Sequence, residues 1–576
     1  MCGIFALLNN ENISSKFIKN EFDKGKNRGP EFTKLDNYLK MTIGFHRLAI
    51  NGLNNESNQP LVYNDIILIC NGEIYNFKEL FEMMNIEPIS GSDCEVIIHL
   101  YINYGIEQTL NMLDGVFSFI LFDNRLSNNL INRIYIARDP LGVRPLYYLK
   151  SKKEKDFNNI YGFASELKCL EKFYNLSIDT YSVEQFKPGT YSVFKLSNKV
   201  NSIWQIELEN IPYFVPVISF NWLSLDYKDT KTRWDEIYSK ISYYIKSAVY
   251  KRCLTTERPI ACLLSGGLDS SLIAALVNNF NKINNIILPL ETYSIGLEGS
   301  EDLKYAKIVA DYLETNHTEI IVTEKEMFEV IPEVINALES YDTTTVRASI
   351  GNYLLGKYIK KNSSAKVIFN GDGSDELFGG YLYMNLCPDD IEFDKETRRL
   401  LKDIHLFDVL RSDKSISSHG LEPRTPFLDK SFVNYVLSIP SNYRNHNNIK
   451  QMEKYILRNS FNVNNFLDYQ RKQILPDNIL YRSKEAFSDG VSTQGRSLNK
   501  ILQEYIAFYM NKEEQTNKYE PNIDIEKLYY KRIFDTNFPN CSSILPYFWM
   551  PNYTLASDPS ARTLSLYKLN NNNLNL

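Results

Sequence analysis

The chain has little excess of charge: 64 Lys and Arg stand against 70 Asp and Glu, a net charge of −6 over 576 residues. That balance leaves no overall electrostatic footprint for nucleic acid or an anionic membrane. Long apolar runs are also missing. The most apolar stretches, such as 66–70 and 286–288, are far shorter than the ~18–20 residues that cross a bilayer. The start, MCGIFALLNN, carries no basic segment and no small-residue cleavage site, so no secretory signal is expected and the chain reads as cytoplasmic. Its cysteines, at 2, 70, 94, 169, 253, 262, 387 and 541, are never two to four residues apart, which speaks against a zinc knuckle or a dense disulfide framework. No repeat of solenoid period occurs.

What is present suits packed cores. Hydrophobic residues make up 44% and aromatics 13%, and the length implies more than one domain. From 1 to about 210, short strand-like runs (CGIFALL, MTIGFHRLAI, IILICNGEIYN, GVFSFILFD, RIYIARD) outnumber helical stretches at 76–84 and 93–104. This predicts an α+β domain of stacked sheets. Pro212 and Pro216 mark a linker and place a boundary near 212. Beyond it, a helical period at 234–250 precedes strands at 260–264, 292–295 and 367–369 that alternate with helices at 270–277 and 303–312, which predicts a parallel α/β sheet. After about 390 the pattern is mainly helical. The Asn-rich end cannot bury a core, so 561–576 is expected to be a disordered tail.

Two constellations carry chemistry. If Met1 is removed, Cys2 becomes residue one, and its thiol stands beside an α-amine with a reference pKa near ~7.7–8.0. Nucleophile and base then share a residue. The strand at 66–70 delivers Asn71, Gly72 and Glu73, whose amide and backbone N–H groups suit an oxyanion. Arg47 could grip a carboxylate bidentately and Asp93 an α-ammonium. Singly, these two read as a surface ion and a helix cap; together they fit free glutamine. The run MCGIFALL, RGPE, GFHRLAI, NGEIYN, GSDCEVI and RDPLGVRPLYY resembles the class II glutamine amidotransferase domain. The resemblance implies an N-terminal nucleophile (Ntn) sandwich that hydrolyses glutamine through a γ-glutamyl thioester on Cys2. It implies glutamine binding by Arg47, Leu48, Ala49, Ile50, Asn51, Asn71, Gly72, Glu73 and Asp93, with Asn71 and Gly72 as the oxyanion hole. Asn27 stands where that family usually has His.

In the second half, ACLL runs into Ser265-Gly266-Gly267-Leu268-Asp269-Ser270-Ser271 and then an apolar helix. Adjacent glycines admit an anion close to the backbone, the helix start and hydroxyls donate to it, and a carboxylate can hold Mg²⁺. The lysine of a Walker A loop is absent. The segment 367–381 brings Asn370, Gly371, Asp372, Asp375 and Glu376 to a strand end, while Thr344, Arg347 and Lys484 offer hydroxyl and cationic groups for a departing pyrophosphate. This half resembles the ATP pyrophosphatase synthetase domain (adenine nucleotide alpha hydrolase-like) of glutamine-hydrolysing asparagine synthetases. The resemblance implies domains at 1–212 and 213–560, small-molecule substrates (glutamine, aspartate, ATP) with Mg²⁺, and no nucleic-acid or membrane partner; a homodimer is compatible with it. It assigns ATP to Leu264, Ser265, Gly266, Gly267, Asp269, Ser270, Ile295, Asn370 and Gly371. Catalysis falls to Lys484 and Asp372, the aspartate and pyrophosphate pocket to Thr344 and Arg347, and metal to Asp269 and Asp375. Asp372 replaces a family Glu. A β-lactam synthetase-like relative shares both domains but tends to lose the N-terminal cysteine, which is present here. A catalytically idle glutamine or ATP sensor is disfavoured by retention of Cys2, Asn71, Asp269, Arg347 and Lys484.

Overall fold

A computed structural model describes residues 2–125, 132–152, 159–196, 202–216, 230–448, 450–485, 487–493, 495–564 and 567. In the first part, twelve strands form two sheets: β1 (Gly3–Leu8), β2 (Phe32–Tyr38), β3 (Met41–Arg47), β4 (Leu61–Tyr63), β5 (Ile66–Ile74), β6 (Gly115–Asp123), β7 (Arg133–Arg138), β8 (Tyr147–Ser151), β9 (Tyr161–Ala164), β10 (Tyr181–Gln185), β11 (Thr190–Leu196) and β12 (Trp204–Pro212). One sheet runs β10-β8-β9-β1-β3-β2 and the other β12-β11-β7-β6-β5-β4. Alternation along each strand sorts the two faces. Ile4, Ala6 and Leu8 meet Ile67, Ile69, Ile120 and Ile136 between the sheets. Their neighbours Phe5 and Leu7 face outward into a cluster with Ile18 and Phe22, whereas Leu68 and Cys70 pack on Ile97 and Leu100 of the helix Val96–Met112. The expected stacked sheets are therefore present.

The second part holds a parallel sheet of β13 (Ile260–Leu263), β14 (Glu291–Gly296), β15 (Asn316–Ile321), β16 (Val367–Phe369) and β17 (Glu422–Arg424), in the order β15-β14-β13-β16-β17. Helices cover both faces: Thr230–Leu254, Leu268–Ile283 and Glu301–Leu313 on one, Thr343–Asn362, Leu498–Glu513 and Ile523–Asn537 on the other. The chain leaves β13 in one direction for β14 and β15 and in the other for β16 and β17. That makes the carboxyl ends of β13 and β16 the switch point at which open parallel sheets bind ligands.

Three differences from the sequence reading stand out. The region after 390 contains a strand, β17, only three residues long and built around Pro423. Proline cannot donate to a ladder, and this one sits on the edge strand of the sheet. The helix expected at 93–104 is a 3₁₀ turn, Asp93–Glu95, followed by a helix interrupted at Gly105, whose φ is 74°. The expected tail is ordered at its start: Ala561–Thr563 form a turn and Leu564 is buried, while 565–566 and 568–576 lie outside the described residues. No helix among the described residues is long and apolar enough to cross a membrane.

Candidate functional site

β1 places Cys2 at the open end of the first sheet, and β5 carries Asn71 beside it. The Cys2 backbone nitrogen donates to Asn71 Oδ1 at 3.0 Å, and its thiol lies 3.7 Å from the Leu48 carbonyl oxygen. Burial pushes the thiol pKa up, so attack needs a base at hand. Asn71 is held from behind by Ser165: its Nδ2 lies 3.5 Å from the Ser165 Oγ, which also accepts from Ile4 N. The sequence reading did not single out Ser165, which directly follows β9. Gly72 is required by its neighbours, since a Cβ there would meet the Val116 carbonyl oxygen at 2.5 Å.

The remaining expected glutamine residues gather in two ways. Glu73 accepts from Asn51 Nδ2 at 2.7 Å, and the Ile74 N–H donates to Asp93 Oδ2 at 2.6 Å. Burial raises Asp93 to about 6, and burial with the nearby charge of Asp93 raises Glu73 well above the usual carboxylate range. Ala49 N is tied to Glu31, and the Ala49 and Ile50 carbonyls receive donors from Arg258 and Glu257. Arg47 also ties down the loop that follows it. Its terminal nitrogens go to Asn54 O and Asn58 Oδ1 at 3.0 and 2.7 Å and to the Asn51 and Gly52 carbonyls. These bonds hold the 51–58 loop, whose carbonyls have no strand partner to satisfy them. Asn27, in place of the family His, lines a separate cavity at the domain junction.

The second site is a cavity of about 170 Å³ at the switch point. Leu264, Ser265, Gly267, Asp269, Ser270, Ile295, Thr344, Asn370, Gly371, Asp372, Asp375 and Lys484 all line it. Gly266 does not, but it makes the turn possible. Its φ is +70°, and a Cβ would meet the Ala306 nitrogen and the Tyr305 carbonyl carbon at 2.4 Å. The loop from β13 then enters the helix Leu268–Ile283, whose first-turn N–H groups have no intrahelical acceptor. Ser265 and Ser270 hydroxyls meet at 3.0 Å. Across the cavity the loop from β16 comes so close that a Cβ on Gly371 would meet Ser270 N at 2.7 Å.

Lys454, which the sequence reading missed, organises the charges. Its Nζ is 2.5 Å from Asp269 Oδ2 and 2.7 Å from Asp375 Oδ1, and Lys484 Nζ is 2.6 Å from Asp375 Oδ2. Burial would raise Asp375, but Lys454 and Lys484 outweigh it and hold its carboxyl well below the usual range. Asp372 lies 3.0 Å from Arg411, which also pairs with Asp408 at 3.0 Å, and burial raises its pKa. Arg347 makes contacts that its sequence neighbours do not announce. Its guanidinium is spent on Glu526 (2.7 and 2.5 Å) and Asp558 (2.7 and 2.8 Å), and it lies outside the residues that line the cavity. Both carboxylates lie on later segments of the chain. Among the described residues no cluster of three or more His, Cys, Asp or Glu is arranged for a metal.

The sequence matches the glutamine amidotransferase domain family over residues 1–206 and the asparagine synthase family over residues 241–389 and 385–556. The class is an amidotransferase in which a glutamine-handling domain precedes a synthase domain. Curated relatives extend the similarity over the whole chain. Asparagine synthetase [glutamine-hydrolyzing] of Gallus gallus is 41% identical, that of Cricetulus griseus 39% and that of Homo sapiens 38%, each covering 99% of both chains. The chain belongs to the family of glutamine-hydrolysing asparagine synthetases.

Proposed function

We propose that the protein makes L-asparagine from L-aspartate with ATP, using ammonia released from L-glutamine. The observation that carries this reading is the presence in one chain of two complementary sites: Cys2 N held on Asn71 at 3.0 Å, and a glycine loop facing Lys454 and Lys484. Ammonia is mostly protonated in neutral water and a carboxylate is a poor electrophile. A site that frees ammonia inside the protein and a site that activates the acid solve these two problems together.

In the first reaction the Cys2 α-amine, exposed by loss of Met1 and oriented by Asn71 Oδ1, takes the thiol proton. The thiolate attacks the γ-carboxamide carbon, Asn71 Nδ2 and Gly72 N–H meet the oxyanion, and the amine returns its proton to departing ammonia. Water then cleaves the thioester to glutamate. Asp93 supplies negative charge for the substrate α-ammonium, and Glu73 beside it holds Asn51 in place.

In the second, the aspartate β-carboxylate attacks the α-phosphorus of ATP, giving β-aspartyl-AMP and pyrophosphate. The 265–271 loop and the helix start receive the leaving group, and Lys454 and Lys484 face its growing charge. Ammonia attacks the acyl carbon, its surplus proton passes to Asp372, and AMP leaves. Asp269 and Asp375, two carboxylates that share Lys454, fit a Mg²⁺ held chiefly by substrate phosphates. That ion would supply charge neutralisation on the phosphates when bound. A cytoplasmic location accords with this reading.

The test is product analysis with glutamine, aspartate, ATP and Mg²⁺. Asparagine, glutamate, AMP and pyrophosphate should form in equal amounts. ADP and inorganic phosphate in stoichiometry with asparagine would overturn adenylation.

A further inference from the structure

Lys484 reaches the cavity from a loop with little regular structure. The preceding helix, Asp477–Leu480, and the following one, Phe487–Gly490, are each four residues long. A lysine ammonium on a flexible four-carbon stem does not position itself. What braces the loop lies on its far side. Arg562 Nε donates to Glu485 Oε1 at 2.8 Å, while its Nη1 donates to the Thr493 carbonyl at 2.8 Å and to Ser492 Oγ at 3.3 Å. One guanidinium therefore staples both ends of the loop. Ser560 Oγ adds a hydrogen bond to Asp489 Oδ1 at 2.9 Å.

The segment that carries these groups is itself anchored. Asp558 takes two hydrogen bonds from Arg347 and one from Gln503 Nε2 at 3.0 Å. Ser560 N donates back to Asp558 Oδ1 at 2.9 Å, which closes a local turn. Leu564 is buried in a cluster with Phe407 and Trp549, and both aromatics line the ATP cavity. The segment lies beyond residue 556, where the match to the asparagine synthase family ends.

We infer that residues 558–562 form a strap across the synthetase domain, with Arg562 as the positioning residue that fixes Glu485 and hence Lys484 against the departing pyrophosphate. Arg347 belongs to this device as the anchor of Asp558. A buried ion pair is weak evidence for stability, because desolvation offsets its attraction; what this one supplies is a fixed loop. A displacement of roughly 1 Å at a reacting group costs up to about 10² in rate.

The inference rests on the role given to Lys484, and the experiment separates the two. Pyrophosphate release is measured at saturating ATP and aspartate with ammonia as nitrogen donor, beside glutaminase activity as the control for folding. Arg562→Ala should lower kcat for release by about 10- to 100-fold and leave glutamine hydrolysis within about twofold. Arg562→Lys, which keeps a contact to Glu485 but not the fork to Thr493, should recover part of the loss. Arg562→Ala should add nothing further in a Lys484→Ala background, because both changes act through one group. If Lys484→Ala cuts release while Arg562→Ala leaves kcat unchanged, the strap fails and the reading of Lys484 stands. Equal losses from Arg562→Ala in both backgrounds, or a parallel loss of glutaminase activity, would also overturn the strap. Full release by Lys484→Ala would overturn the role of Lys484, and the strap with it.

Discussion

The proposed first reaction turns on the Cys2 nitrogen, which donates to Asn71 Oδ1 and, in that proposal, becomes the base after processing. Cys2→Ala should abolish glutamine-dependent asparagine formation and spare ammonia-dependent formation, and a preparation that retains Met1 should behave the same way; separate assays with each nitrogen donor check both. Asn71→Ala should slow glutaminase turnover by about 10²- to 10³-fold, the usual loss of one oxyanion donor. Steady-state kinetics would contradict this role if only the KM for glutamine rose. Asp93 gives a pH dependence. Its carboxyl, raised by burial from 3.8 to about 6, must be ionised to hold an ammonium, so kcat/KM for glutamine should fall as pH drops through about 6. The sign for stability is opposite: between 3.8 and about 6 the folded state keeps a proton that the unfolded chain has lost, so this group costs stability as pH rises through that window. Asn71, Gly72 and Asp269 stand out in the sequence because each sits in a short run, NGE or SGGLDSS, whose residue types alone suggest a site. Lys454 does not, because its carboxylate Asp269 lies 185 residues away and nothing around Lys454 in sequence announces a site. Arg47 and Arg347 show the same limit: the looped-back or distant acceptors that each guanidinium meets come into view only in the fold.

Among the elements, the turn from β13 into its helix is the one whose conformation excludes substitution. Gly266→Ala would force a Cβ to within 2.4 Å of backbone atoms at Tyr305 and Ala306 and strain a φ of +70°. Pyrophosphate release should drop by more than tenfold while glutaminase turnover holds, which the same pair of assays reads. Strands β13, β14 and β16 and the helices between them were legible from alternating apolar runs and glycine punctuation, because both faces of a parallel sheet are buried and force continuous apolar strands. β17 escaped because three residues with a central proline carry no period. Yet it is a well-connected strand: the Asn370 N–H in the loop after β16 donates to the Arg424 carbonyl at 3.1 Å, and Arg424 Nη2 stands 3.4 Å from Glu73 on β5.

Between the domains the contacts are buried and charged. Arg28 donates to the Cys2 carbonyl at 3.0 Å and pairs with Glu166 at 2.9 Å in its own domain and Asp413 at 2.8 Å in the other. Arg252 pairs with Asp429 and stacks over Tyr75, its centroid 4.3 Å away. Leu48, Ile50 and Val143 share a core with Ile237, Leu272 and Leu428. Arg424→Met should therefore reach both sites. It removes the cation that stands 3.4 Å from Glu73 and 2.9 Å from Glu422 in a buried setting, where breaking a pair costs about 3–5 kcal/mol. Glutamine hydrolysis should lose its proportion to asparagine formation, and the ratio of glutamate to asparagine produced would report it. The shared core was not readable in advance, since each domain's motifs describe its own substrate and none describes the other domain.

The interlock has a practical meaning for dissecting the enzyme. A gene fragment that ends at residue 212 would express the two antiparallel sheets with Glu73 deprived of Arg424, Gly52 of Glu257 and Ala49 of Arg258. Such a fragment should be a poor stand-alone glutaminase even with Cys2 processed. Supplying residues 213–576 as a separate polypeptide should restore its activity by noncovalent complementation, with a saturation curve that measures how tightly the two halves hold each other.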